Sequence, residues 1–249
     1  MFIAKAPQRP GLDARRVVLP ALSVLLFLTA LSAYGQQTYV TRFDVFAGYA
    51  YLNSPHVSLV ENGFQFQAGV RPKTWLSLGF DYSRATGDLM LNPSLLITSL
   101  QQQLNTQMAG AKAYGLLPSG YALNIPAHSV TQTFAAGPQL AFRHWKAVTL
   151  FVRPDLGAMH ERATPSPAAG DWFAAAAVAN LAPDGYKTDW VAFYGFGGGV
   201  DLNFSKHVGL RVQADFVHDH LFSDLLQDSR NTVRISVGPC FNLGKNIAH

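Results

Sequence analysis

The chain has 249 residues, a formal net charge of +4 and one cysteine. Most of that charge sits within the first 35 residues, where Lys5, Arg9, Arg15 and Arg16 face a single acid, Asp13. The remainder is close to neutral and has no basic run, which argues against a nucleic-acid partner, and Cys240 alone excludes an internal disulfide.

Residues 1–35 read as an export signal. A basic start precedes an apolar stretch from Val17 to Leu31, and Ala33-Tyr34-Gly35 places small residues where a signal peptidase needs them. Cleavage is expected near Gly35, which leaves one mature domain over 36–249. Beyond it, alternation of apolar and polar residues at period two predicts strands at 41–53, 63–71, 75–84, 129–143, 147–160, 188–204, 207–220 and 231–243. Three connections are tight: Pro72-Lys73-Thr74, His144-Trp145-Lys146 and Ser205-Lys206-His207. The other four, at 54–62, 85–128, 161–187 and 221–230, are long. Short turns at one end and long loops at the other are the pattern of an up-and-down barrel that crosses a membrane. Two long loops carry helix signals. Ser94 is a candidate cap for a run containing Leu95, Leu96, Leu100 and Leu104, and Asp171 precedes the Trp172–Ala177 run.

One face of these strands is free of charge; Phe64, Phe66, Ala68 and Val70 on the second strand are typical. The opposite face carries Arg42, Asp44, Arg71, Asp81, Arg143, Arg153, Asp155, Asp201, Arg211, Asp215 and Arg234, interleaved with glycine. A soluble β-barrel with a ligand-binding core would be apolar inside. Arginine and aspartate suit a confined polar interior, because a planar guanidinium bonds a carboxylate through two parallel N–H groups. The fold expected is therefore all-β: an eight-stranded antiparallel up-and-down transmembrane barrel, with short helices in its long loops and a lumen filled by that Arg/Asp network. Phe46, Phe151 and Phe193 also point inward by parity. Pro138, Pro154 and Pro239 fall within strands, where each removes a ladder donor, and a bulge near Pro138 and Pro154 would accommodate two of them.

From residue 36 to about 244 the chain resembles the small outer-membrane barrels of Gram-negative bacteria, the OmpA-like transmembrane domain group. The most specific element is the last strand, where Gly238, Phe241 and Leu243 are similar to the C-terminal assembly signal; Val237 stands where a polar residue is usual, and Lys245 to His249 continue past the signal. The resemblance implies an outer-membrane location, recognition by the barrel-assembly machinery, and contact with outer-membrane lipid and lipopolysaccharide. No periplasmic peptidoglycan-binding domain is expected to follow.

Chemistry is sparse. His218-Asp219-His220, with His160, Glu161 or Asp224 nearby, has the residue types of a metal site, but a polar rim at the headgroups is the favoured reading. His56-Val57-Ser58 pairs a base with a hydroxyl and has no evident carboxylate partner. No catalytic residue, metal or cofactor is assigned. The function expected is a structural and surface-interaction role, with loops 85–128 and 161–187 meeting an extracellular ligand. A narrow porin for small solutes or ions is the alternative, and a lipid-modifying outer-membrane enzyme a lesser one.

Overall fold

The structure, a computed structural model, describes residues 37–227 and 230–248, so the export signal and the cleavage near Gly35 lie outside the described residues. Eight strands run β1 (Thr41–Ser54), β2 (Leu59–Lys73), β3 (Leu76–Leu91), β4 (Ile125–Phe142), β5 (Val148–Pro165), β6 (Lys187–Asn203), β7 (Val208–Asp219) and β8 (Arg230–Asn246). Each pairs antiparallel with the next, and β8 returns to β1 to close the barrel. Closure leaves no edge strand, which satisfies the backbone of a sheet lying in lipid. The outward face is apolar through the middle of every strand, with Phe66, Phe80, Phe196, Phe216 and Ile235 all exposed. This is a transmembrane barrel.

Several strands run further toward the long loops than the alternation predicts. β2 begins at Leu59, β3 continues to Leu91, β4 begins at Ile125 and β5 continues to Pro165. In these extensions the two faces exchange character. On β3, Arg84, Thr86 and Asp88 are exposed outside while Ala85 and Leu89 are buried inside; on β4, Pro126 and His128 are outside while Ile125 and Ala127 are inside. Beyond the apolar band the outward face turns largely polar, and apolar side chains turn inward beside a few buried charged ones. A pattern sought as apolar-out ends where that exchange begins.

The in-strand prolines need no bulge. β4 and β5 keep one register on either side of a gap, from Ala136↔Leu156 to Leu140↔Val152, which sets Pro138 opposite Pro154. Both missing N–H groups therefore fall in one ladder, while pairing with the outer neighbours continues through Leu78↔Pro138 and Pro154↔Phe196. Pro239 lies in a similar gap between β1 and β8, bounded by Phe46↔Cys240 and Tyr49↔Val237.

The loop helices are α1 (Thr98–Ala113) and α2 (Trp172–Leu181). Asp171 caps α2, its carboxylate accepting from the Ala174 N–H at 2.9 Å. Ser94 does not cap α1. It lies in a 3-10 turn, Pro93–Leu95, whose cap is Asn92, and the residue preceding α1 is Ile97. The Pro93 ring favours that separate turn by fixing φ at its start.

Candidate functional site: a filled lumen under an apolar cap

The lumen is crossed by buried ion pairs in tiers. In the middle, Arg234 bridges Asp81 and Asp215, with its Nη1 3.1 Å from Asp81 Oδ1 and its Nη2 2.8 Å from Asp215 Oδ2. Arg153 donates to Asp81 at 2.7 Å and to Asp155 at 2.8 Å. Gln65, Gln67 and Gln213 tie these groups together, with Gln67 donating to Asp81 at 2.8 Å and to Gln213 at 3.0 Å. Just below, Arg211 makes the bidentate pair with Asp201 at 2.7 and 2.9 Å. Its guanidinium also lies over the rings of Phe46 and Phe151, at 5.6 and 4.6 Å. Those inward rings need glycine beside them: a Cβ at Gly48, two residues along the same strand, would stand 2.6 Å from Phe46 Cζ, and one at Gly199, across the β5–β6 ladder, 2.7 Å from Phe151 Cζ. At the short-turn end, Arg71 lies 3.5 Å from Asp44.

Of the residues predicted for this interior, Asp44, Arg71, Asp81, Arg153, Asp155, Asp201, Arg211, Asp215 and Arg234 are buried within it. Arg143 stands at the mouth, half-buried, bonded to the Thr74 carbonyl, Gln37 and Thr149. Arg42 is a correction: it is exposed on the outer surface, and Thr41 occupies the interior in its place. The β1–β8 register slips between Thr41 and Phe43, next to Gly244 with φ +91°. That left-handed backbone favours glycine, and a slip of one residue moves a side chain to the other face.

A further tier escapes a search for aspartate and arginine inside the apolar band. Glu61 and Glu161, the chain's two glutamates, are both buried at the long-loop end. Arg230 donates to Glu161 at 2.6 Å and to Asp219 at 3.1 Å, Ser129 donates to Glu161 at 2.8 Å, and Thr131 donates to Glu61 at 2.9 Å. The interior thus includes glutamate, which the Arg/Asp reading leaves out. Continued period-two parity beyond the apolar band, from Gln65 to Glu61 and from Met159 to Glu161, is the signal that reveals it.

Above this tier the long loops fold into an apolar cap. Leu104 of α1, Phe173, Ala174 and Ala177 of α2, and Leu221, Phe222 and Leu226 are buried together with inward residues of the strand extensions. Segments 95–97 and 225–227 bond through the backbone, Ile97 N–H to the Leu225 carbonyl and Gln227 N–H to the Leu95 carbonyl, each at 2.9 Å. Tyr121 donates to both oxygens of Asp171 at 2.9 Å, which ties the loop after α1 to the cap of α2. Burial and then that bond push the Tyr121 phenol up to about 12. Beneath the cap is a cavity of about 70 Å³ with walls of Leu89, Leu96, Ile125 and Phe222 and a floor of Glu161 and Arg230.

No family model and no curated protein sequence matches the chain. Solved structures of similar fold are outer-membrane barrels. Neisserial surface protein A is 12% identical, with 81% of this chain and 96% of that chain covered and a TM-score of 0.47. Ail, the attachment invasion locus protein of Yersinia pestis, in complex with the heparin analogue sucrose octasulfate, is 14% identical, with 82% and 99% covered and a TM-score of 0.44. The outer membrane protein OprG of Pseudomonas aeruginosa is 7% identical, with 84% and 99% covered and a TM-score of 0.44. At these identities the architecture rests on the chain's own strand pairing.

The histidine cluster does not assemble a metal site. Strand alternation sends Asp219 into the lumen, whereas His218 and His220 stay outside with ring centroids 5.0 Å apart. His160 packs on Trp190 at 4.6 Å, Glu161 is held by Arg230, and Asp224 pairs with Lys187. Among the described residues no group of three or more His, Cys, Asp or Glu has metal-binding geometry. His56 meets the Gln227 carbonyl at 3.0 Å. On β8, Gly238 faces inward and Phe241 and Leu243 face outward.

Proposed function

We propose that this protein is an outer-membrane barrel whose lumen is a structural network and whose capped loops are its interaction surface. The observation that carries the reading is the unbroken succession of buried ion pairs beneath an apolar cap. Eight strands leave an interior that side chains fill, and arginine–carboxylate pairs bonded this densely fix packing rather than open a path for ions. The role is neither transport nor catalysis. Binding falls to the loops, where Tyr114, Leu116 and Trp172 are exposed and available to an extracellular ligand.

The short turns face the periplasm and the long loops the outside, as in other barrels of this class. Outward-facing Arg84 and Arg162 then stand just above the apolar band, at the level of lipopolysaccharide phosphates. Gly238, Phe241 and Leu243 form the element that the assembly machinery reads. Fractionation tests the placement: the protein is expected in the outer membrane, with a gel band that shifts on heating, and recovery as a soluble periplasmic protein would overturn it. Expression is expected to leave the acylation pattern of lipid A unchanged; a change in its mass would restore the enzyme reading.

A further inference from the structure

The short-turn end differs from the rest of the barrel in charge and in shape. A vestibule of about 410 Å³ opens there, with cationic lining from Arg71, Arg143, Lys146 and Lys206 and, among the described residues, no acidic residue in its wall. Every short turn contributes a lysine, Lys73, Lys146 and Lys206, and Lys245 lies at the end of β8 on the same rim. The turn segments 72–75, 143–147 and 204–207 contain no Asp or Glu.

The guanidiniums of the vestibule are also paired differently from those above. Arg153, Arg211, Arg230 and Arg234 each reach a carboxylate oxygen within 2.6 to 2.8 Å. The hydrogen bonds of Arg143 all go to neutral oxygens. Arg71 is 2% exposed, its Nη1 bonds go to Thr41 and Asn242, and its buried Nε makes no hydrogen bond, with Asp44 Oδ1 at 3.5 Å. Asp44 and Asp201, the acids nearest this end, are engaged by Arg71 and Arg211. Arg143 has no carboxylate on its hydrogen bonds and Arg71 has one only at 3.5 Å, so this concave site with two ammonium groups is short of the partner that such donors bind best.

We propose that the periplasmic vestibule is an anion site that takes a phosphate or carboxylate group, with Arg143 as its principal donor, Arg71 at its base, and Lys146 and Lys206 at its entrance. The Lys206 ammonium is 5.2 Å from the ring centroid of Tyr39, which holds it beside the opening. Lys73 and Lys245 are exposed outside the vestibule, so the site is separable from general attraction of the rim to lipid headgroups.

The test is calorimetric titration of the mature protein, in nanodiscs of neutral phosphatidylcholine, with inorganic phosphate and separately with a tricarboxylate. Saturable binding that weakens as salt rises is expected. Arg143→Gln and the double variant K146Q/K206Q should each raise Kd about tenfold, and K73Q/K245Q should leave it within twofold, with the heat-shifted band retained in all. The lysine double variant changes only exposed side chains, so it reports on the site even if Arg143→Gln folds poorly. Repeating the titration in discs containing phosphatidylglycerol separates two sources of the anion. Competition by that lipid assigns the site to a headgroup phosphate; unchanged binding assigns it to a free solute. Absence of saturable binding in neutral discs, or equal loss in K73Q/K245Q and K146Q/K206Q, would overturn the proposal.

Discussion

The two ends of this barrel solve opposite problems. At the long-loop end the faces exchange, so apolar residues turn inward and the mouth is closed by α1, α2 and the 221–227 segment over a small cavity. At the short-turn end no apolar cap is present among the described residues, the opening is concave and polar, and the charged residues described in its wall share one sign. Between them the carboxylates and guanidiniums neutralise one another. The difference shows that sealing and charge are separate devices. Hydrophobic burial closes one end, ion pairs hold the middle, and the other end gathers cations around an open mouth, with Lys146 and Lys206 exposed.

The largest effect is expected in the middle. Arg234→Ala leaves Asp81 and Asp215 buried with a lost partner, and loss of one member of a buried pair costs about 3–5 kcal/mol. The heat-shift midpoint should fall sharply, and adding Asp215→Asn alone should recover part of the loss, because Asp81 keeps its bond from Arg153. Leu226→Ala should cost about 2–5 kcal/mol within the cap. Limited proteolysis should then cut the loops while the strands stay protected. Equal loss of barrel and cap would show that the two ends are not separate.

Tyr121→Phe removes the bond to Asp171 and should loosen the cap by about 1 kcal/mol, seen as faster hydrogen exchange in α2. The phenol titrates near 12 when folded, above the value of about 10 expected of an unfolded tyrosine. A raised folded value means that this contact contributes fully below pH 10 and is lost as pH rises through about 12. Protection of the cap, corrected for the intrinsic rise of amide exchange with pH, should therefore be flat across neutral pH and fall only under strong alkali. The smallest effect belongs to Arg42→Gln, which should change stability by less than about 0.5 kcal/mol because the side chain is exposed. Arg71→Gln, on the neighbouring strand, should cost several-fold more. Equality between the two would place Arg42 back inside the lumen.

Much of this was legible in the chain. Period-two alternation marks all eight strands, and parity alone assigns Phe46, Phe151 and the central aspartates and arginines to the interior. Three features were hidden for physical reasons. Alternation read as apolar-out stops where the apolar band ends, so the extensions of β2 to β5 and three members of the upper tier, Glu61, Glu161 and Arg230, lie in segments that the sequence assigns to loops. A register slip beside Gly244 cannot be seen from parity within one strand, and it reverses Arg42. The cap depends on contacts between residues far apart in sequence, such as Leu96 with Leu226, which no local pattern records. The prolines were visible, but their economy was not, because it depends on two strands placing Pro138 and Pro154 on one rung.

The central claim is that the lumen is closed, and single-channel recording in planar bilayers tests it most directly. Pure refolded protein is expected to insert and leave the baseline free of stable current steps, in both the unmodified chain and the Leu226→Ala variant, since the ion-pair tiers remain beneath the cap. Stable, sizeable conductance steps from the unmodified protein would contradict the filled lumen and favour the narrow-porin alternative.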